Sequence, residues 1–150
     1  DAAAAAVGEG ANVFYYLAHN RIKDINFVMQ DALSFEGNTG PYVQYTYARC
    51  CSLLEKAGEQ PALCGSVTAP EEKALLKTLS LYPEKLQQAL NEYEPSVIAR
   101  YILDVCADFN RFYHECQILS ADSPEVRTFR VALVAATRSV LGSAFDLICL

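Results

Sequence analysis

Apolar residues recur along this chain at intervals of three and four rather than two, which predicts helices throughout and no sheet. The clearest stripe is Ile98, Ile102, Val105, Phe109, Phe112 and Cys116, predicting a long amphipathic helix from about Pro95 to Cys116. A second long helix follows to about Leu147, with Ser123 as its N-cap before Pro124. Val126, Phe129, Leu133, Ala136, Val140 and Leu147 are assigned to its inward face. A third helix runs from Pro41 to about Ala57, with Thr39 or Asn38 as its cap. Its apolar stripe is Val43, Tyr47, Cys50, Leu54 and Ala57, and Tyr42, Tyr45, Arg49, Ser52 and Lys56 form the opposite face.

The remaining segments are shorter or weaker. Ala2 to Leu17 reads as an alanine-rich helix whose middle is weakened by Gly8 and Gly10, at up to ~1 kcal/mol each. Ile22 to Asp31 reads as extended chain before a short helical turn, and Phe35 to Pro41 as a loop relaxed by Gly37 and Gly40. Gly58 to Ala69 is a loop by its Gly, Pro and Ser content. Pro70 opens a helix with Glu71 and Glu72 at its positive end and Leu75, Leu76 and Leu79 buried. Pro83 starts another, to about Glu92, on Leu86, Ala89 and Leu90. The expected fold is an all-α helical bundle without internal repeats.

At 150 residues the chain can bury one real core, and its composition, 52% hydrophobic and 20% charged, is that of an ordinary globule. No uninterrupted apolar run approaches the ~18 residues of a membrane span. The longest candidate, Val131 to Val140, is broken by Thr137 and Arg138. The start lacks an initiator Met and a basic region before its alanines, so the chain reads as a piece of a longer protein rather than one with a signal peptide. Cys50, Cys106 and Cys116 lie on apolar stripes, and His19 and His114 sit near no cysteine pair with zinc spacing. Reduced thiols, no metal site and a cytoplasmic setting are expected. The net charge of −6 opposes nucleic-acid binding by the surface as a whole, though not by a local basic patch.

The chemistry that would mark an enzyme is missing. There is no G-x-S-x-G, no glycine-rich phosphate loop with Lys-Ser/Thr and no H-E-x-x-H. Asp104 and Asp108 share a helix face with Arg100 and Arg111, which reads as a solvated charged face rather than a catalytic carboxylate pair. His114 reads as a helix-end residue. The face carrying Tyr42, Tyr45, Arg49 and Lys56 combines aromatics and cations, the chemistry that stacks unpaired bases and holds phosphates. Periodicity alone favours the plainer reading, tyrosines covering a neighbouring helix. Arg127, Arg130 and Arg138 fall within about 80° of one another on the last helix, either a basic stripe for phosphates or a set of ordinary ion pairs. Tyr113 lies at the margin of its apolar stripe, where packing is again the plainer reading.

Longer motifs are more specific. The run Leu33-Ser34-Phe35-Glu36-Gly37-Asn38-Thr39-Gly40-Pro41-Tyr42-Val43-Gln44-Tyr45-Thr46-Tyr47-Ala48-Arg49 resembles a characteristic stretch of arginyl-tRNA synthetases. Val7-Gly8, Gly10-Ala11 and Phe14-Tyr15-Tyr16-Leu17 look like that family's preceding helix. Downstream, Glu94-Pro95-Ser96-Val97-Ile98-Ala99-Arg100-Tyr101, Phe109-Asn110-Arg111-Phe112-Tyr113-His114 and the stretch Arg130 to Leu141 resemble further family motifs in the family's order. The likeness runs from about Val7 to Leu147. Glu9 departs from it, standing where the family usually has an apolar residue, and the family commonly continues a little past this C-terminus.

The resemblance implies the C-terminal, DALR-type anticodon-binding domain of a class Ia aminoacyl-tRNA synthetase. Residues 1–34 would be stem helices from the catalytic body, and residues 35–150 the anticodon-binding domain. It implies tRNA(Arg) and the catalytic domain of the same synthetase as partners. Tyr42, Tyr45 and Tyr113 would face the anticodon arm, with Arg49, Arg127, Arg130 and Arg138 as candidate phosphate contacts. Gln44 and Asn38 would serve helix start and packing. The His-Ile-Gly-His and Lys-Met-Ser-Lys-Ser nucleotide motifs of such enzymes do not occur, so no catalytic residue and no cofactor is expected in this chain. ATP and magnesium would belong to the parent enzyme. Without the catalytic domain, Phe14 to Leu17 are expected to be exposed or to drive self-association. The rival is a free-standing helical protein-interaction domain that has lost RNA binding, which the acidic balance favours.

Overall fold

The computed structural model describes residues 2–58, 62 and 65–150. Among them run α1 (Ala2–Leu17), α2 (Met29–Ala32), α3 (Gly40–Ala57), α4 (Pro70–Ser80), α5 (Tyr82–Glu92), α6 (Ser96–Glu115) and α7 (Pro124–Ile148). No strand occurs among the described residues. Part of the loop expected between Gly58 and Ala69, including Cys64, lies outside them. The five described cysteines are free thiols.

Helix α6 is the centre of the bundle and packs against α3, α4, α5 and α7. Its predicted stripe, Ile98, Ile102, Val105, Phe109, Phe112 and Cys116, is buried throughout. Buried Tyr101 adds a polar tie, because its hydroxyl donates towards the carbonyls of Thr78 (3.1 Å) and Leu79 (3.3 Å). The Leu81 N–H already closes the end of α4 on the Thr78 carbonyl at 3.2 Å, and Tyr101 adds a second donor from within the core.

The helix ends follow local chemistry. Thr39 caps α3 by accepting from the Tyr42 N–H at 3.2 Å, and Pro41 occupies the first turn. Gly58 closes the same helix in the left-handed region, φ 65°. Ser123 caps α7 by accepting from the Val126 N–H at 3.2 Å. Only Leu81 separates α4 from α5, and Pro83, lacking an N–H, ends one hydrogen-bond ladder and starts the next.

Several burial expectations change. The inward face of α7 is Val131, Leu133, Val134, Thr137, Leu141, Ala144, Phe145 and Ile148, about a quarter turn from the predicted stripe. Ala136 and Leu147 are exposed. Thr137 explains the rotation: its hydroxyl donates to the Leu133 carbonyl at 2.8 Å, so it enters the core without an unsatisfied group. In length and composition α7 would suit a membrane span, contrary to the expectation from apolar runs, but half of the apolar window is buried in the bundle. Leu76 and Leu90 are exposed rather than buried, and α5 contributes no fully buried residue.

The first helix also differs from expectation. Phe14 is fully buried and Tyr15 and Leu17 half-buried, because α1 packs along α3, while Tyr16 is exposed as expected. The contact is made by glycines. A Cβ on Gly40 would stand 2.6 Å from the Gly10 carbonyl oxygen, and one on Gly10 would strike the Gln44 amide. Gln44 in turn donates to the Ala6 carbonyl at 3.4 Å. Close backbone approach, rather than loop flexibility, is the reason for Gly40. Gly37 is the position with a left-handed backbone, φ 85°.

Candidate nucleic-acid interface

The long helices α3 and α6 lie side by side, and the residues they present at their shared edge form an aromatic and cationic cleft. Tyr45, Ala48, Arg49, Ser52, Leu53 and Lys56 of α3, with Tyr113 of α6, line a volume of about 300 Å³. The Arg49 guanidinium carbon lies 4.8 Å from the Tyr45 ring centre and 4.5 Å from that of Tyr113. Each such contact is worth about 0.5–1 kcal/mol at a site open to water. Tyr45 is 55% exposed and Tyr113 37%, so both offer ring surface to solvent. Tyr113 is backed by the core, its ring stacked on that of buried Phe109.

A polar network sits directly behind the cleft. Arg49 Nη1 donates to Asn110 Oδ1 at 2.6 Å. Asn110 Nδ2 donates to the Tyr42 hydroxyl (3.0 Å) and the Thr46 hydroxyl (3.3 Å). Thr46 Oγ1, fully buried, donates to the Tyr42 carbonyl at 3.0 Å. No other side-chain donor of Arg49 has a hydrogen-bond partner among the described residues.

This geometry separates the expected contacts. Tyr45, Arg49 and Tyr113 come together. Tyr42 does not stand free beside Tyr45: it is half-buried against the core with its hydroxyl held by Asn110. Burial pushes that hydroxyl's pKa up, against the lowering effect of the Asn110 hydrogen bond. A period of 3.6 places residue 42 a turn before residue 45, but the approach of α6 decides which of them it covers.

The basic stripe is likewise revised. Arg127 donates to the carbonyls of Leu119 (3.1 Å) and Ala57 (3.3 Å), tying the start of α7 to the end of α3. Arg130 pairs with Glu72 at 2.6 Å and donates to the Gln117 carbonyl at 2.9 Å, with its side chain 13% exposed. These two arginines serve the fold, because the rotation of α7 turned their face inward. Arg138 is exposed but does not line the cleft.

Asn110 lies within the Phe109 to His114 motif, and nothing in the sequence gives it a role of its own. The available signal was its place three residues before Tyr113, hence on nearly the same face. A larger cleft of about 430 Å³, between α5 and the ends of α6 and α7, is apolar with Glu94 as its one charged residue. That lining has no means of attracting phosphate. Among the described residues no cluster of potential metal ligands occurs.

Comparison with known proteins adds a second line of argument. Residues 43–150 match the family described as the DALR anticodon binding domain. Arginine–tRNA ligase of Clostridium botulinum (strain 657 / Type Ba4) is 42% identical over 144 residues, 95% of this chain and 26% of the relative. That of Clostridioides difficile (strain 630) is 41% identical over 145 residues, 95% of this chain and 25% of the relative. Among solved structures, Thermus thermophilus arginyl-tRNA synthetase superposes with a TM-score of 0.89 at 38% identity, covering 95% of this chain and 25% of that one. Arginyl-tRNA synthetase from Plasmodium falciparum gives 0.83 at 26% identity, covering 93% and 25%. The chain spans about a quarter of the length of the curated relatives it matches.

Proposed function

This chain belongs to the DALR anticodon binding domain family, and from that premise we propose that it binds the anticodon arm of tRNA(Arg) as part of an arginine–tRNA ligase. The observation that carries the reading is the Arg49 guanidinium set against the exposed rings of Tyr45 and Tyr113 over an open cleft. An unpaired base stacks on these rings, and the unpartnered donors of Arg49, with Lys56 nearby, take the adjoining phosphate. Tyr42 supports the cleft from behind. Arg138 is retained as a peripheral phosphate contact, and Arg127 and Arg130 are not.

Residues 35–150 form the binding domain in this reading and residues 1–34 its stem. Attachment of arginine, with ATP and magnesium, falls to the part of such an enzyme outside this chain. The catalytic domain is the second partner, and the setting is cytoplasmic. Exposed Ile22, Met29 and Phe35 give the isolated chain a surface for self-association. The family match weighs against the rival, a free-standing protein-interaction domain.

The test is fluorescence anisotropy with a labelled tRNA(Arg) anticodon stem-loop. Tyr45→Ala is expected to weaken binding by about 1–3 kcal/mol, the worth of one stacked base, with little change in melting temperature. Tyr93→Ala, removing an exposed ring from the apolar cleft, is the control and leaves affinity unchanged. Equal affinity of the Tyr45 variant and the unaltered chain would reject the stacking role.

A further inference from the structure

We infer that Asn110 is a positioning residue for RNA binding: it holds the Arg49 guanidinium in register with the rings of Tyr45 and Tyr113 and does so without touching RNA itself. The inference deepens the proposed function and rests on it for its consequence, though not for its geometry.

An arginine side chain has many rotamers, and ordering one costs conformational entropy. A guanidinium left mobile over exposed rings would meet that cost when RNA binds. Here the cost is met in the fold. Arg49 Nη1 donates to Asn110 Oδ1 at 2.6 Å, a charge-assisted and hence stronger hydrogen bond. The other end of the amide is fixed by two acceptors on α3, the hydroxyls of Tyr42 and Thr46. Arg49 settles the amide orientation, because a guanidinium only donates and so must face the oxygen, which leaves the NH₂ end to donate to the two hydroxyls. Thr46 is fully buried and its own proton is committed to the Tyr42 carbonyl. The chain of bonds therefore ends on backbone within the core. Asn110 lies half-buried beneath the cleft and is absent from its lining. The role needs an acceptor and a donor on one short rigid group, and aspartate or leucine supplies at most one of the two.

The experiment combines a double-mutant cycle with a spectroscopic readout. Anisotropy with the tRNA(Arg) anticodon stem-loop is measured for the unaltered chain, Asn110→Ala, Arg49→Ala and the double variant. Asn110→Ala is expected to lose about tenfold in affinity, in the range for a charge-assisted hydrogen bond. In the Arg49→Ala background the same change is expected to cost less than about twofold, the signature of acting through Arg49. Additive losses in the cycle, or an unchanged affinity of Asn110→Ala, overturn the inference.

NMR of the Arg49 side chain, without RNA, tests the geometry alone. Ring currents from the two tyrosines shift its δ-methylene and Nε–H resonances, and Asn110→Ala and Asn110→Leu are expected to move them towards free-arginine values. Unmoved resonances in a folded variant overturn the positioning role whatever the RNA result. If instead the resonances move while the unaltered chain and Tyr45→Ala bind the stem-loop equally, the positioning holds and the RNA function fails.

Discussion

A carboxylate without solvent contact requires its charge to be matched, and Glu72 is such a group. Its side chain is fully buried and accepts from the N–H groups of Thr68 (2.7 Å) and Ala69 (3.0 Å) and from Arg130 Nε (2.6 Å). Burial raises its pKa, but these hydrogen bonds and the Arg130 charge outweigh that and leave it below its ordinary value of 4.5. A depressed carboxylate adds stability above its unfolded-state pKa, and the contribution is lost as pH falls through the folded value. Resistance of the unaltered chain to urea should therefore fall progressively below about pH 4.5, the unfolded reference. Glu72→Gln should flatten part of that slope. Glu72→Ala, leaving Arg130 without its partner, should cost about 3–5 kcal/mol at neutral pH. In the sequence Glu72 reads only as an acidic residue suited to the first turn of α4. Its partner lies 58 residues away, and no local pattern encodes such a pairing.

Helices are placed by what their faces allow, and two glycines of the first half of the chain show opposite uses. Gly8 has nothing within 4 Å of a built Cβ, whereas a Cβ on Gly40 meets α1 backbone at 2.6 Å. Gly8→Ala should raise stability by up to about 1 kcal/mol through helix propensity alone. Gly40→Ala should lower it by about 1–3 kcal/mol or separate α1 from α3, because the obstructing atoms are backbone and cannot rotate away. Thermal melts of the two variants check both signs. The sequence reads Gly8 as a weak point inside a helix and Gly40 as slack in a loop; only contact between elements shows that Gly40 is needed for close packing. The same holds for α7. Its existence and its Ser123 cap were legible, but its buried face was not, since hydropathy counted Thr137 as polar and Ala136 as apolar. The hydrogen bond from Thr137 to Leu133 reverses that ranking.

Across the whole molecule the charge of −6 repels RNA, so the proposed affinity has to come from a small patch. Arg49, Lys56 and Arg138 offer at most two or three phosphate contacts. A salt titration of stem-loop binding should then give a log–log slope of about −1.4 to −2.1, at ~0.7 per phosphate on single-stranded RNA. A slope near zero would leave the cations without a role, and a much steeper one would point to basic residues beyond the cleft. The sequence by itself determined the helices, their caps, the α6 core stripe and the family, because these depend on residues close together in the chain and on motifs read in order. It also placed Tyr45, Arg49 and Tyr113 among the candidates. Tertiary structure alone decided that Tyr42 is a support rather than a free ring, that Arg127 and Arg130 bind carbonyls and Glu72, and that Asn110 joins the cleft to the core. Which side of a helix meets another depends on the helix opposite, and helical periodicity carries no record of that neighbour.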